Sequence, residues 1–200
     1  MIRCEDIAKH ADFIALSAIK SVRVDLRYGT ENNFAGRDLY ESMDCAWLRR
    51  EAADGVRQAA AWLAQHRPGY QLLILDALRP QRVQEQLWAV LAGTPLEAYL
   101  AHPERGSIHS YGMAVDVTLL NPAGIESDMG TAFDDLSTGS HPALDTEHLA
   151  LGRLSAAQVS ERGWLRAAMR AAGFIGISSE WWHFDFGDRN EVRRNYQRVL

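Results

Sequence analysis

Ser107-Ile108-His109-Ser110-Tyr111-Gly112-Met113-Ala114-Val115-Asp116, taken together with Ser179-Glu180-Trp181-Trp182-His183, decides how this chain is organised. The two stretches supply two imidazoles, a carboxylate among apolar neighbours and a second carboxylate set apart. Three protein ligands, an open fourth position for water and a general base beside it make up a catalytic zinc site. His109, Asp116 and His183 are the expected ligands, and Glu180 is the expected base. Both segments are framed by β-formers, whose side chains alternate between faces. His109 and Asp116 are seven apart, an odd offset that would send them to opposite faces of one unbroken strand. Gly112 between them permits the turn or bulge that brings both to one metal. Glu180 is expected at a strand entrance, with His183 inside the strand.

Outward from these stretches the chain reads as strands mixed with helices. Val115 to Leu120 is a strand closed by Asn121-Pro122, and Gln71-Leu72-Leu73-Ile74-Leu75-Asp76 is an apolar run suited to a buried strand. Pro80 suits the first turn of a helix whose buried face is Val83, Leu87, Val90 and Leu91. Arg79 therefore lies at a strand-to-helix junction, where a fixed backbone can aim a long side chain. Ser21 to Tyr28 alternates as a half-exposed strand. From about Cys45 to Gln65 apolar residues recur at helical spacing, with Asp44 as N-cap and Pro68-Gly69 as the stop. Ser155 caps a helix to about Ala172, and Gly173 ends it. Phe174 to Ile177 and Trp181 to Phe186 are two more strands, and Glu191 to Leu200 a final short helix. Residues 1–20 form an arm or short helix. Residues 121–153 form a polar loop, and loops of that length inside a domain are usually functional or mobile. The expected architecture is α+β: a single domain over 1–200, with a central, mainly antiparallel sheet packed by helices and the zinc site in a cleft on it.

Composition narrows the function classes. A formal charge of −5 leaves no basic field for nucleic acid. No apolar run reaches the length of a membrane span. The start, Met1-Ile2-Arg3-Cys4-Glu5-Asp6, lacks a basic segment followed by an apolar one, so no secretion signal is expected. Cys4 and Cys45 are not spaced like zinc ligands and imply no disulfide framework, which suits a reduced cytoplasm. His10, His66 and His102 read as surface residues. His141 and His148 stand close enough to look like a ligand pair, but the other set is already complete for one zinc. Asp116, amid Ala114, Val115, Val117 and Leu119, needs a partner to be buried, either a salt bridge or a dication. Trp181 and Trp182 lower the polarity around Glu180, which raises a carboxylate pKa toward the range useful for proton transfer.

The pattern His109-x-x-Gly112-x-Ala114-x-Asp116, followed by Glu180-x-Trp182-His183, resembles the zinc D,D-peptidases. Within them the chain is most similar to the D-alanyl-D-alanine dipeptidases. Asp25-Leu26-Arg27-Tyr28, Asn33-Phe34-Ala35-Gly36, Asp76-Ala77-Leu78-Arg79-Pro80 and Met129-Gly130-Thr131-Ala132-Phe133-Asp134 carry this narrower likeness, which runs from about Asp25 to Phe186. The resemblance implies one zinc per chain and hydrolysis of D-Ala-D-Ala to two D-alanines, in glycopeptide resistance or D-alanine recycling. It implies that Glu180 moves the proton and that Arg79 stabilises the oxyanion, although Arg79 could equally pair with Asp76. It also implies that Tyr28 and Asp134 hold the substrate ammonium, with Ser107 offering its backbone nearby. One departure stands out: the family commonly has Arg where this chain has Tyr111. Two alternatives remain, a peptidoglycan stem-peptide carboxypeptidase or endopeptidase and a catalytically silent zinc-containing binding domain.

Overall fold

The computed structural model describes residues 2–200. It contains seven strands: β1 (Phe13–Ala15), β2 (Val22–Val24), β3 (Trp47–Arg49), β4 (Gln71–Asp76), β5 (Ala114–Leu120), β6 (Phe174–Gly176) and β7 (His183–Phe186). Five α-helices accompany them: α1 (Arg50–His66), α2 (Gln81–Leu91), α3 (Asp145–Ala150), α4 (Ala156–Ala171) and α5 (Arg189–Asn195). The main sheet has the order β2-β4-β5-β7-β6; β2 runs parallel to β4, and every other pair is antiparallel. β1 and β3 form a separate two-stranded ribbon.

β4 and β5 form where the apolar runs predicted them, and strand alternation sorts their side chains. Leu72 and Ile74 on β4, with Val115, Val117 and Leu119 on β5, join the main core beneath α1 and α4. Leu73, Leu75 and Leu120 form a small cluster of their own, closed by Phe133 from the long loop. β5 is buried along its whole length, so Asp116 lies inside the protein. α1 sits close on the sheet because Gly55 has no side chain: a Cβ there would lie 2.7 Å from Phe186 and 2.8 Å from Phe174.

Several local expectations are corrected. The 45–65 segment is not one helix, because Trp47–Arg49 pairs with β1 and α1 begins only at Arg50. Asp44 is therefore no N-cap; its carboxylate accepts from the Ala46 N–H and the Trp47 indole. The strand expected over 21–28 ends at Val24, and Tyr28 is buried in a 3₁₀ turn. Val90 is exposed rather than on the buried face of α2. His183 is the first residue of β7, not an interior one, and Glu180 lies in the connection between β6 and β7. Ser155 behaves as read: it caps α4 in a reciprocal box with Gln158. The long loop contains α3 and two short 3₁₀ turns.

Candidate active site

Asp116 sits mid-sheet with Asp76 opposite it on β4 and His183 opposite it on β7. An irregularity between Ile74 and Asp76 shifts the register so that Asp76 reaches this row, as a bulge does when it re-aims a side chain. His109 arrives from the other direction. It stands in a 3₁₀ turn, Ile108–Tyr111, begun by Ser107, whose hydroxyl accepts from the His109 N–H at 3.3 Å. Gly112 ends the turn in the left-handed region, at φ +69°, and lets the chain enter β5. A side chain there would also strike Phe13 at 2.8 Å.

Three ligand atoms converge. His183 Nδ1 lies 2.9 Å from Asp116 Oδ1 and 3.1 Å from His109 Nε2, which in turn lies 3.3 Å from Asp116 Oδ1. Ligands about 2.0–2.1 Å from one tetrahedral zinc stand roughly 3.3 Å apart, so the triangle fits such an ion. The remaining ring nitrogens are committed elsewhere. His109 Nδ1 donates to the Ala77 carbonyl at 2.8 Å, which turns Nε2 toward His183 and Asp116. His183 Nε2 donates to Asp185 Oδ1 at 2.9 Å, which turns Nδ1 inward. Such second-sphere bonds orient metal-binding imidazoles. Burial opposes a charge on His183, yet Asp185 and Asp116 lift it to about 10, so the site draws positive charge. Burial opposes ionisation of Asp116 too, but His109 and His183 hold it well below the usual carboxylate range.

Arg79 proves to pair with Asp76 and to reach further. Its Nε donates to Asp76 Oδ2 at 2.8 Å, and one terminal nitrogen lies 2.7 Å from Asp76 and 3.2 Å from Asp116 Oδ2. The guanidinium lies 4.6 Å over the Tyr28 ring and donates to Gln84 at 3.3 Å. Tyr40 and the Ala77 N–H bond the other oxygen of Asp76. Arg79 thus separates two buried carboxylates and remains charged: burial opposes the charge, but Asp76, Tyr28 and Asp116 together outweigh it.

Glu180 is half-buried and makes no side-chain hydrogen bond among the described residues. Burial raises its pKa to about 7, and Asp116 adds to that, while His183 and Arg79 pull the other way. Asp134 accepts from Tyr28 OH at 3.0 Å and from the Phe34 N–H at 3.3 Å. Its backbone is left-handed, at φ +63°, and burial followed by Asp116 pushes its carboxyl up to about 8. Tyr28, Arg79, Ser107, His109, Asp116, Asp134, Glu180 and His183 all line one cleft of about 230 Å³. Tyr99 also lines it, and its hydroxyl meets His141 Nε2 at 2.7 Å, joining the 95–99 turn to the long loop. His148 instead bonds the Thr138 carbonyl at 2.9 Å, so His141 and His148 are not a ligand pair. Tyr111 is not among the residues lining the cleft; Arg198 lies over its ring and donates to its hydroxyl.

Asp185 is the site residue that the sequence reading overlooked. It stands two after His183, hence on the same face of β7, a spacing that could have revealed it. The arginines of α5 in the cleft wall carried no local signal at all.

The family profile of M15 peptidases, described as D-ala-D-ala dipeptidase, matches residues 9–200. The chain is 35% identical over 164 residues to a D-alanyl-D-alanine dipeptidase of Escherichia coli strain K12, covering 82% of this chain and 78% of that one. It is 32% identical to a D-alanyl-D-alanine dipeptidase of Enterococcus faecium, over 85% of this chain and 88% of that one. In structure it is similar to the LdcB LD-carboxypeptidase, at TM-score 0.50 and 16% identity, covering 92% of this chain and 72% of that one; this is a likeness of fold.

Proposed function

This chain belongs to the D-Ala-D-Ala dipeptidase family of M15 peptidases, and from that premise we propose how its own residues hydrolyse the dipeptide. It is a metallopeptidase acting on D-Ala-D-Ala. His109, Asp116 and His183 would hold the metal, and two imidazoles with one carboxylate in a compact triangle suit zinc. Zinc bound there supplies a Lewis acid that acidifies water and polarises the scissile carbonyl. Glu180, poised near neutrality, takes the proton of the attacking water and returns it to the leaving amine. Arg79 offers its free N–H donors to the developing oxyanion, held in place by Asp76. Asp134, with Tyr28, receives the substrate ammonium.

The convergence of the three ligand atoms within 3.3 Å, beside a carboxyl raised to about 7, is the observation that carries this reading. The buried free thiols of Cys4 and Cys45 suit a reduced, cytoplasmic setting. No helix among the described residues is long and apolar enough to cross a membrane. Both glycopeptide resistance and D-alanine recycling are compatible with this chemistry.

The test compares kcat/KM for D-Ala-D-Ala and its N-acetyl derivative, with and without a chelator. Acetylation removes the ammonium with which ionised Asp134 pairs, a loss of about 1.5–3 kcal/mol for a hydrogen bond to a charged group. The free dipeptide should be cleaved far better, and only with metal present. Equal or better cleavage of the acetylated compound would instead favour a stem-peptide carboxypeptidase.

A further inference from the structure

The dipeptide is a zwitterion, and the residues assigned so far answer only its ammonium. The cleft that holds the metal triad is also lined by Arg105, Arg189 and Arg193. Arg189 is already committed, because its Nε donates to Asp185, the carboxylate that orients His183. Arg193 has no carboxylate partner among the described residues. Its guanidinium donates to the Gly106 carbonyl at 3.1 and 3.3 Å and to the Arg189 carbonyl at 3.4 Å. Those acceptors are neutral, so they fix the fork without balancing its charge. Two of its five N–H donors also remain unused. Arg105 is exposed and makes no ion pair or side-chain hydrogen bond among the described residues.

The placement of these cations is specific. Gly106, which anchors Arg193, directly precedes Ser107, the residue that caps the turn carrying His109. The carbonyl of Arg105 is held by Arg198, as is that of Glu104, so this stretch of backbone is fixed beside the metal segment. Arg105 and Arg193 also line the adjoining groove between β6 and α5, whereas Tyr28, Phe34 and Asp134 do not. The cleft therefore has a cationic wall on one side and Asp134 on the other. Arg193 is held below its ordinary value first by burial and then by Arg105 and Arg189, while Asp185, already paired with Arg189 and His183, offsets only part of this.

We propose that Arg193 and Arg105 form the subsite for the C-terminal carboxylate of the substrate, so that the cleft selects a dipeptide charged at both ends. The proposal rests on the dipeptidase reading and adds its missing half. An arginine fork matches a carboxylate in shape and charge, and Arg193 is pre-oriented for it. Arg105, free to move, closes on the same group from the cleft mouth.

The experiment measures kcat/KM for D-Ala-D-Ala and for its C-terminal amide, in the wild type and in Arg193→Ala, Arg193→Lys and Arg105→Ala. The wild type should prefer the free acid by about 10- to 100-fold, the worth of hydrogen bonds to a charged group. Arg193→Ala should lose most of that preference through a raised KM for the acid, with kcat and amide cleavage little changed. Arg193→Lys should recover part of it. Arg105→Ala touches no internal hydrogen bond, so it keeps the test valid if Arg193→Ala folds poorly, and it too should narrow the preference. A wild type indifferent to the amide would overturn the proposal. So would arginine variants that keep the full preference, or that lose acid and amide cleavage alike. Calorimetric binding of acid and amide to metal-loaded Glu180→Gln reads the same preference without turnover. A wild type that fails to cleave D-Ala-D-Ala while that binding preference persists would refute the dipeptidase reading and leave the carboxylate subsite standing.

Discussion

Asp116 and His183 are direct cross-strand partners on β5 and β7, and Oδ1 of one lies 2.9 Å from Nδ1 of the other. Sixty-seven residues separate them in sequence, and only the antiparallel register joins them. A slip of one residue would turn every side chain of β7 to the opposite face and dismantle the ligand set. The registered pair is expected to carry the metal. His183→Ala should lower bound zinc from about one equivalent to near none, measured by elemental analysis after dialysis, because a catalytic zinc needs all three ligands. Full occupancy in that variant would show that the ligands are assigned wrongly.

Asp185 gives a second expectation. It accepts from His183 Nε2 and is itself bonded by Arg189, so it sets the direction of the ring proposed to bind the metal. Asp185→Asn should weaken zinc binding by about 10- to 100-fold, the usual effect of losing such a partner. Competition with a chromophoric chelator measures it. Unchanged affinity would reduce Asp185 to a structural residue of β7.

Glu180 should behave in the opposite way. Glu180→Gln is expected to keep its zinc and to lose about 10²–10⁴-fold in kcat, the range supplied by a positioned acid–base group. Metal content and turnover are measured on the same sample. Loss of zinc would make Glu180 a ligand instead.

Arg79 cannot simply be removed. It is buried between Asp76 and Asp116, and Arg79→Ala would leave two carboxylates uncompensated, at about 3–5 kcal/mol of stability. Thermal unfolding should show this directly. Arg79→Lys keeps a charge there and is the variant in which an oxyanion role should appear, as a fall in kcat with KM little changed. A rise in KM alone would restrict Arg79 to substrate binding.

Asp134 makes a prediction in pH. Burial, and then Asp116, raise its carboxyl to about 8 in the fold, against about 3.9 in an unfolded chain. A carboxyl raised in this way binds its proton more tightly when folded. It therefore favours the fold at low pH, and that advantage is lost as pH rises from about 4 to about 8. In the chelated protein, the Tm of the wild type minus that of Asp134→Asn should fall across this window and level off above it. A difference independent of pH would mean that Asp134 ionises normally.

The residue types of the site, and the strands that carry them, were legible from local sequence. The apolar runs of β4 and β5, the glycine needed between His109 and Asp116, and the Ser155–Gln158 cap depend on neighbours within a few residues, where backbone sterics and hydrogen-bonding capacity act directly. Asp44 shows the limit of such reasoning. Its side chain is a good cap in isolation, yet Trp47–Arg49 is drawn into pairing with β1, and the helix starts later. Tertiary structure alone decided that Asp76, Asp116 and His183 share one row of the sheet, that Arg79 bridges two carboxylates, and that Tyr111 packs under Arg198. It alone brought the arginines of α5 to face the metal segment. Register and helix docking are settled by burying the whole apolar surface at once, a sum over distant residues that no local stretch of sequence contains.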